Sequence, residues 1–260
     1  MITLRGPEEL AKLESASRVV LETLEAVEKA LRPGMTTGDL DAIAEKEIRA
    51  RGARPAFVGY RGYPKTLCTS VNDEVVHGIP GSRRLHEGDI VGIDCGAIVD
   101  GYYGDAARTL AVGRIDAAKA ALLAATREAL HAGIAVARPG NRVHDIGAAV
   151  ELVAIRHGYG VVRDFVGHGV GTALHEEPQI PNYGPAGRGP LLKAGMVLAI
   201  EPMFNLGRHE VSVDGDGWTV RTKDGSASAH FEHTIAILPE ATVILGTGAY
   251  PLPAAAAASA

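Results

Sequence analysis

Leu85-His-Glu-Gly-Asp-Ile-Val-Gly-Ile-Asp94 and Leu192-Lys-Ala-Gly-Met-Val-Leu-Ala-Ile-Glu201 are two versions of one segment. Each has a leucine, a glycine three residues on, an apolar run and a closing carboxylate. The likeness extends outward from them. Leu31-Arg-Pro-Gly34 runs on to Asp39, Ala42, Glu45 and Gly52, and the same types return 106 residues later as Arg138-Pro-Gly140, Asp145, Ala148, Glu151 and Gly158. Phe57-Val58-Gly59 is echoed by Phe165-Val166-Gly167, and His77-Gly-Ile-Pro80 by His175-Glu-Glu-Pro178. Echoes kept in one order over this length point to duplication. Asp94 and Glu201 are then counterparts, and the pattern predicts a metal site built between two related half-folds.

Each half reads as a helix pair followed by strands. Gly6-Pro7-Glu8-Glu9 opens a helix whose Leu10, Leu13, Val20, Leu24, Val27 and Leu31 recur at helical spacing until Pro33-Gly34 ends it. Thr36 or Thr37 caps a second helix carrying Leu40, Ile43 and Ile48, stopped by Gly52. Asp116 opens the third, and Val143, Ile146, Val150 and Val153 mark the fourth. Strands are expected at Leu67–Val71, Ile90–Asp94, Asp105–Val112, Val197–Glu201 and Phe231–Leu238. Helix pairs against antiparallel or mixed strands predict an α+β fold with a pseudo-two-fold axis. We expect one domain over residues 1–250, with half repeats at about 8–112 and 116–240, and a disordered Ala-rich tail at 251–260.

Composition narrows the function. With 260 residues and 46% apolar content the chain can bury a full core. A net charge of -5 offers no broad basic field for nucleic acid or an anionic membrane, although a local ribosome contact stays open. The start, Met1-Ile-Thr-Leu-Arg-Gly-Pro7, lacks a signal-peptide run, and no stretch is long and apolar enough for a span. Two cysteines, Cys68 and Cys95, give no disulfide framework. These features predict a cytoplasmic protein, taken to be a monomer.

The chemistry gathers on a few polar residues. Asp94 and Asp105 flank Cys95-Gly-Ala-Ile-Val-Asp-Gly-Tyr-Tyr-Gly104, which reads as a hairpin. A turn centred on Val99-Asp100 sets Asp94 opposite Asp105, whereas one centred on Asp100-Gly101 needs a bulge to bring them level. Taken alone, an aspartate at a strand end is usually a turn former, and an isolated strand glutamate is usually solvated. Glu201, however, follows Met196-Val-Leu-Ala-Ile200, and a buried unpaired carboxylate is costly enough to demand a partner. Glu232 sits in His230-Phe-Glu-His-Thr234, and His168 in Gly167-His-Gly-Val-Gly171, whose glycines let an imidazole approach another group. His175-Glu-Glu-Pro-Gln179 matches the HExxH zinc helix only at its start, since Gln179 replaces the second histidine and Pro178 interrupts a helix. There is no GxSxG elbow, phosphate-binding loop or CxxC pair.

Asp94, Asp105, His168, Glu201 and Glu232, within Gly-His-Gly, His-Glu-Glu-Pro and Phe-Glu-His-Thr, resemble the five-ligand site of the pita-bread metallopeptidases. Tyr60-Arg-Gly-Tyr-Pro-Lys65, Asn72-Asp-Glu-Val-Val-His-Gly-Ile-Pro80 and Gly217-Trp-Thr-Val220 resemble the type I methionine aminopeptidases in particular, over about residues 8 to 248. The resemblance implies a pita-bread fold, a curved sheet covered by two helix pairs. It also implies two divalent ions, Mn, Fe, Co or Zn, and an enzyme that removes initiator methionine from peptides and nascent chains whose second residue is small. On that likeness Asp94 chelates one ion and His168 the other, Asp105 and Glu232 bridge, and Glu201 binds while serving as general base to a metal-activated water. His77 and His175 match two non-ligand catalytic histidines that also touch substrate. Tyr60, Tyr63, Cys68 and Trp218 match the methionine side-chain pocket, and Asn72 and Ser228 a monovalent-cation neighbourhood. Phe57, Leu174 and His230 depart from the family pattern, where cysteine, an aromatic and glutamine are expected. An X-Pro peptidase of the same fold and a non-catalytic pita-bread binding protein are the alternatives.

Overall fold

The structure is a computed structural model describing residues 1–250, so the expectation for 251–260 lies outside the described residues. Helix α1 (Pro7–Ala30) begins with Pro7 in its first turn, and Glu9 accepts the Gly6 N–H at 3.0 Å. At α2 (Thr37–Ala50) the cap is Thr36. Its Oγ1 accepts from the Asp39 N–H at 3.1 Å while Asp39 accepts from the Thr36 N–H at 2.8 Å, a reciprocal arrangement that satisfies two otherwise orphaned donors. Helix α3 (Ala117–Val136) starts on Asp116, which accepts the Lys119 N–H at 2.8 Å. At α4 (Val143–His157), Asp145 accepts the Arg142 N–H at 2.7 Å. The repeated aspartates 39 and 145 are therefore helix starts. The repeated glycines 52 and 158 end helices at φ 72° and 74°, where a side chain would be strained.

The first half carries β1 (Arg54–Pro55), β2 (Leu67–Val71), β3 (Glu74–Val76), β4 (Ile90–Val99) and β5 (Tyr102–Ala111). The second carries β6 (Gly160–Val161), β7 (Gly167–Gly169), β8 (Glu176–Ile180), β9 (Val197–Ile200) and β10 (Met203–Asn205). It continues with β11 (Val211–Val213), β12 (Val220–Thr222), β13 (Ser228–His230), β14 (Glu232–Ile237) and β15 (Thr242–Ile244). Nine strands form the main sheet in the order β1-β4-β5-β14-β9-β7-β8, with β2 also on β4 and β15 on β14. Every pairing in it is antiparallel. Thus β2-β4-β5 and β7-β9-β14 meet back to back at β5 and β14, and the pseudo-two-fold axis crosses that seam.

Helices cover one face of this sheet. Val20, Leu24, Val27, Leu40 and Ile48 bury against Val91, Ile93 and Cys95. In the second half Leu122, Leu130, Ile146 and Val150 bury against Leu198, Ile200 and Ile235. Because strand side chains alternate, burying Ile93 and Cys95 under the helices turns Asp94 to the opposite face. Glu201, one residue past β9, follows Ile200 in the same way. No helix among the described residues is long and apolar enough to cross a membrane.

The hairpin departs from the first expected register. Asp100 and Gly101 both have left-handed φ, 49° and 81°, and form the two-residue turn, with Val99 paired to Tyr102. Asp94 faces Ala107 and Asp105 faces Gly96, and the pairing is continuous. The turn is Asp100-Gly101, and no bulge was needed. Asp105 lies two residues from Ala107, so it shares the Asp94 face as a diagonal neighbour rather than a direct partner. The strands also run longer than expected here, from Ile90 to Val99 and from Tyr102. Glu176–Ile180 is a strand, so no zinc-binding helix exists at His175.

Candidate active site

Five strand-borne or strand-adjacent side chains from both halves converge on one cavity: Asp94, Asp105, His168, Glu201 and Glu232. Asp105, His168 and Glu232 each offer one ligand atom, all within 4.8 Å of one another. His168 Nε2 lies 3.4 Å from Glu201 Oε1 and 3.8 Å from Asp105 Oδ2. Asp94 completes the wall from the diagonal position on β4. The seam accounts for the closeness, since Glu232 pairs directly with Ala107, the residue that Asp94 faces from the other side.

Local structure aims the imidazole. His168 Nδ1 is 2.9 Å from the Gly169 carbonyl, which can only accept, so Nδ1 carries the proton and Nε2 presents a lone pair to the carboxylates. The flanking glycines exist because β7 lies between β8 and β9. A Cβ at Gly167 would collide with the Ala199 carbonyl and one at Gly169 with the Glu177 carbonyl. Asn182 donates to the Glu201 carbonyl at 3.0 Å and fixes the backbone where β9 ends.

The electrostatics call for cations. Burial pushes Asp94 up to about 7, with Glu201 adding repulsion and His230 opposing. Burial likewise raises Glu201 to about 8. Asp105 and Glu232 are held well above the usual carboxylate range by burial first and by their carboxylate neighbours second. His168 is lowered to about 3 by burial, which keeps it neutral as a ligand must be. Asp94 Oδ1, Asp105 Oδ1 and Glu232 Oε1 are buried without a hydrogen-bond donor. Orphaned carboxylate oxygens lining the same cavity as a neutral imidazole nitrogen fit divalent cations, which supply the missing partners.

The rest of the cavity is largely aromatic and apolar. Phe57, Tyr60, Arg61, Tyr63, Cys68, His77, Leu174, His175 and Trp218 complete the lining, so the matched pocket residues all reach it. Tyr63 meets Trp218 edge-on at 5.0 Å, and its hydroxyl donates to the Leu67 and Gly78 carbonyls at 2.9 and 3.0 Å. His77 sits edge-on to Phe165 and Trp218, and burial lowers it to about 4. Tyr60 stacks on His175, whose ring is 4.2 Å from that of His168. Phe57 and Leu174, two of the departures, stand in the pocket wall. The third, His230, is buried beneath the cage with Nε2 3.6 Å from Glu201 Oε2.

Asn72 and Ser228 lie outside this cavity. The Ser228 N–H donates to the Asn72 carbonyl at 2.8 Å, the Asn72 side chain binds Asp89 and the Ile90 N–H, and Ser228 Oγ donates to the Phe204 carbonyl. Both side chains are hydrogen-bonded within the fold. Two contributors escaped sequence reasoning. Arg61 has its signal in the Gly59 and Gly62 that flank it, whereas Asn182 falls in a loop with no counterpart in the first half and leaves no trace.

Residues 11–239 match the family described as metallopeptidase family M24. A methionine aminopeptidase of Clostridium acetobutylicum is 50% identical over 246 residues, covering 94% of this chain and 98% of that one. Methionine aminopeptidase 1 of Bacillus subtilis is 51% identical over 237 residues, covering 91% and 96%. Among solved structures, the methionine aminopeptidase of Thermotoga maritima superposes with a TM-score of 0.93 at 45% identity, over 95% of this chain and 99% of that one.

Proposed function

Because the chain belongs to metallopeptidase family M24, we propose that it works as a metal-dependent methionine aminopeptidase, removing the N-terminal methionine of peptides and nascent proteins. The observation that carries this reading is the juxtaposition of orphaned carboxylate oxygens and the His168 lone pair with an aromatic pocket in a single cavity. A small second residue in the substrate is part of the same reading.

Asp94, Asp105, His168, Glu201 and Glu232 would hold two divalent ions, which balance about four carboxylate charges. Four acids and one imidazole, with no thiolate among them, suit Mn, Fe or Co at least as well as Zn. Bound there, such ions would lower the pKa of a water and polarise the scissile carbonyl. Glu201, next to His168 and open to the cavity, would accept a proton from the attacking water and pass it to the leaving nitrogen. His77 faces the amide nitrogen and His175 the developing oxyanion. Tyr60, Tyr63, Cys68 and Trp218 enclose the methionine side chain, whose burial contributes about 1.5 to 3 kcal/mol. Burial holds the Cys68 thiol well above its ordinary range, so it serves as a packing surface rather than a nucleophile.

Hydrolysis of Met-Ala-Ser against Ala-Pro-Ala, with added Mn, Co or Fe, tests the reading. We expect the first peptide to be cut. Cleavage of the second alone would indicate the X-Pro alternative, and cleavage of neither the binding protein. His175→Ala should lose turnover while keeping its metal content, and loss of both ions in that variant would defeat the role given to His175.

A further inference from the structure

Tyr60 Oη lies 2.8 Å from His175 Nδ1. The two rings are stacked, with centroids 5.3 Å apart and planes 26° from parallel. No other hydrogen bond reaches the His175 ring from the described residues. A neutral imidazole has one N–H and one lone pair, so whatever Nδ1 does determines what Nε2 can do. A phenol hydroxyl can play either part, and the direction of this one bond therefore decides whether His175 offers the cavity a donor or an acceptor.

We propose that Tyr60 is a positioning residue that donates its hydroxyl hydrogen to His175 Nδ1 and so keeps the His175 proton on Nε2, where it can hydrogen-bond the oxyanion. The proposal rests on the role given to His175 above. Three features carry the direction of the bond. An oxyanion accepts only, so Nε2 must bear hydrogen and Nδ1 must be the bare nitrogen. Arg61 holds its guanidinium 5.4 Å from the Tyr60 ring, and a cation beside the phenol favours its hydroxyl as donor.

The third feature is the contrast with His168. There a carbonyl, which can only accept, places the proton on Nδ1 and frees Nε2 to bind metal. Two adjacent imidazoles thus hold opposite tautomers, one set by a carbonyl and the other by a hydroxyl. His77, the counterpart of His175 in the first half, meets Phe165 and Trp218 edge-on, and its ring has no hydroxyl partner among the described residues. The loop that presents Tyr60 is pre-set, with left-handed φ of 83° at Gly59, 48° at Arg61 and 88° at Gly62, and with the Tyr60 N–H donating to the Phe57 carbonyl at 2.9 Å.

The test is Tyr60→Phe, which keeps the ring and its stacking and removes the donor. Zinc-loaded protein, which is diamagnetic, would be labelled with 15N-histidine, and the His175 signals assigned by their absence in His175→Asn. In the parent protein His175 should carry its proton on Nε2, and in Tyr60→Phe the two nitrogens should show a tautomer mixture. With Met-Ala-Ser, kcat should fall about two- to tenfold, the span of one net hydrogen bond, while KM changes little because the ring still lines the pocket. A proton found on Nδ1 in the parent protein, or kcat unchanged in the variant, overturns the proposal. If the tautomers behave as expected but the parent protein cleaves no methionine peptide, the aminopeptidase reading fails and the control of His175 by Tyr60 stands.

Discussion

The acids of the cage make the metal-free protein sensitive to pH in a direction that can be worked out. Asp94 and Glu201 have folded values of about 7 and about 8, above the usual carboxylate range, so the folded state binds more protons than the unfolded chain between about pH 4 and those values. Stability is therefore lost as pH rises through that interval. His77 and His168, lowered to about 4 and about 3, act oppositely, but only below their ordinary value of 6.5. Between about pH 7 and 8, where the histidines are largely neutral in both states, the carboxylates dominate. The melting temperature of chelated protein should fall across that window, and that of metal-loaded protein should not, since bound cations keep the acids ionised. A thermal scan of both forms at several pH values checks this, and parallel curves would argue against a shared cation cage.

Helices were readable at the scale of elements. Thr36 was readable as the cap of α2 and the spacing of Val143, Ile146, Val150 and Val153 as α4; the repeated Asp39 and Asp145, read only as echoes of the duplication, turn out to complete both helix starts by accepting free N–H groups there. Thr36→Ala should cost about 1 kcal/mol of stability by removing the cap on the Asp39 N–H, and leave kcat of the folded enzyme unchanged. Urea unfolding beside a peptide assay would measure both. Asp94 was legible through the duplication, as the counterpart of Glu201, and the structure adds the alternation that puts Ile93 and Cys95 under the helices and Asp94 on the other face. Its offset from Asp105 was legible in principle, because Asp-Gly suits the positive φ of a two-residue hairpin turn and a β-branched Val99 does not, and the φ values of 49° and 81° fall on Asp100 and Gly101. The diagonal pairing then follows from the turn. Arg61 had a local signal in Gly59 and Gly62, whose positive φ shapes its turn, whereas Asn182 acts from a loop whose path depends on the packed whole and which no local pattern encodes.

At the scale of the molecule, neither half owns a complete site. Asp94 and Asp105 come from the first and His168, Glu201 and Glu232 from the second, so cations held there as proposed would tie the halves together as well as serve chemistry. Ligands that bind only the folded state add stability by mass action, about 2.7 kcal/mol at a hundredfold excess over Kd. Calorimetry should therefore show one cooperative transition for the whole chain, moved to lower temperature by a chelator. Two separable transitions would mean that the halves fold independently.

The seam between β5 and β14 is narrow, with Glu232 paired to Ala107 and His233 to Ala106. It carries Asp105 on one lip and Glu232 on the other. Any breathing that parts these lips also pulls apart two of the cage's carboxylates, so escape of an ion and exposure of the adjoining amides to deuterium would follow from the same fluctuation. With ions held by the residues proposed here, the rate at which the loaded protein leaks metal would report how often its two halves let go.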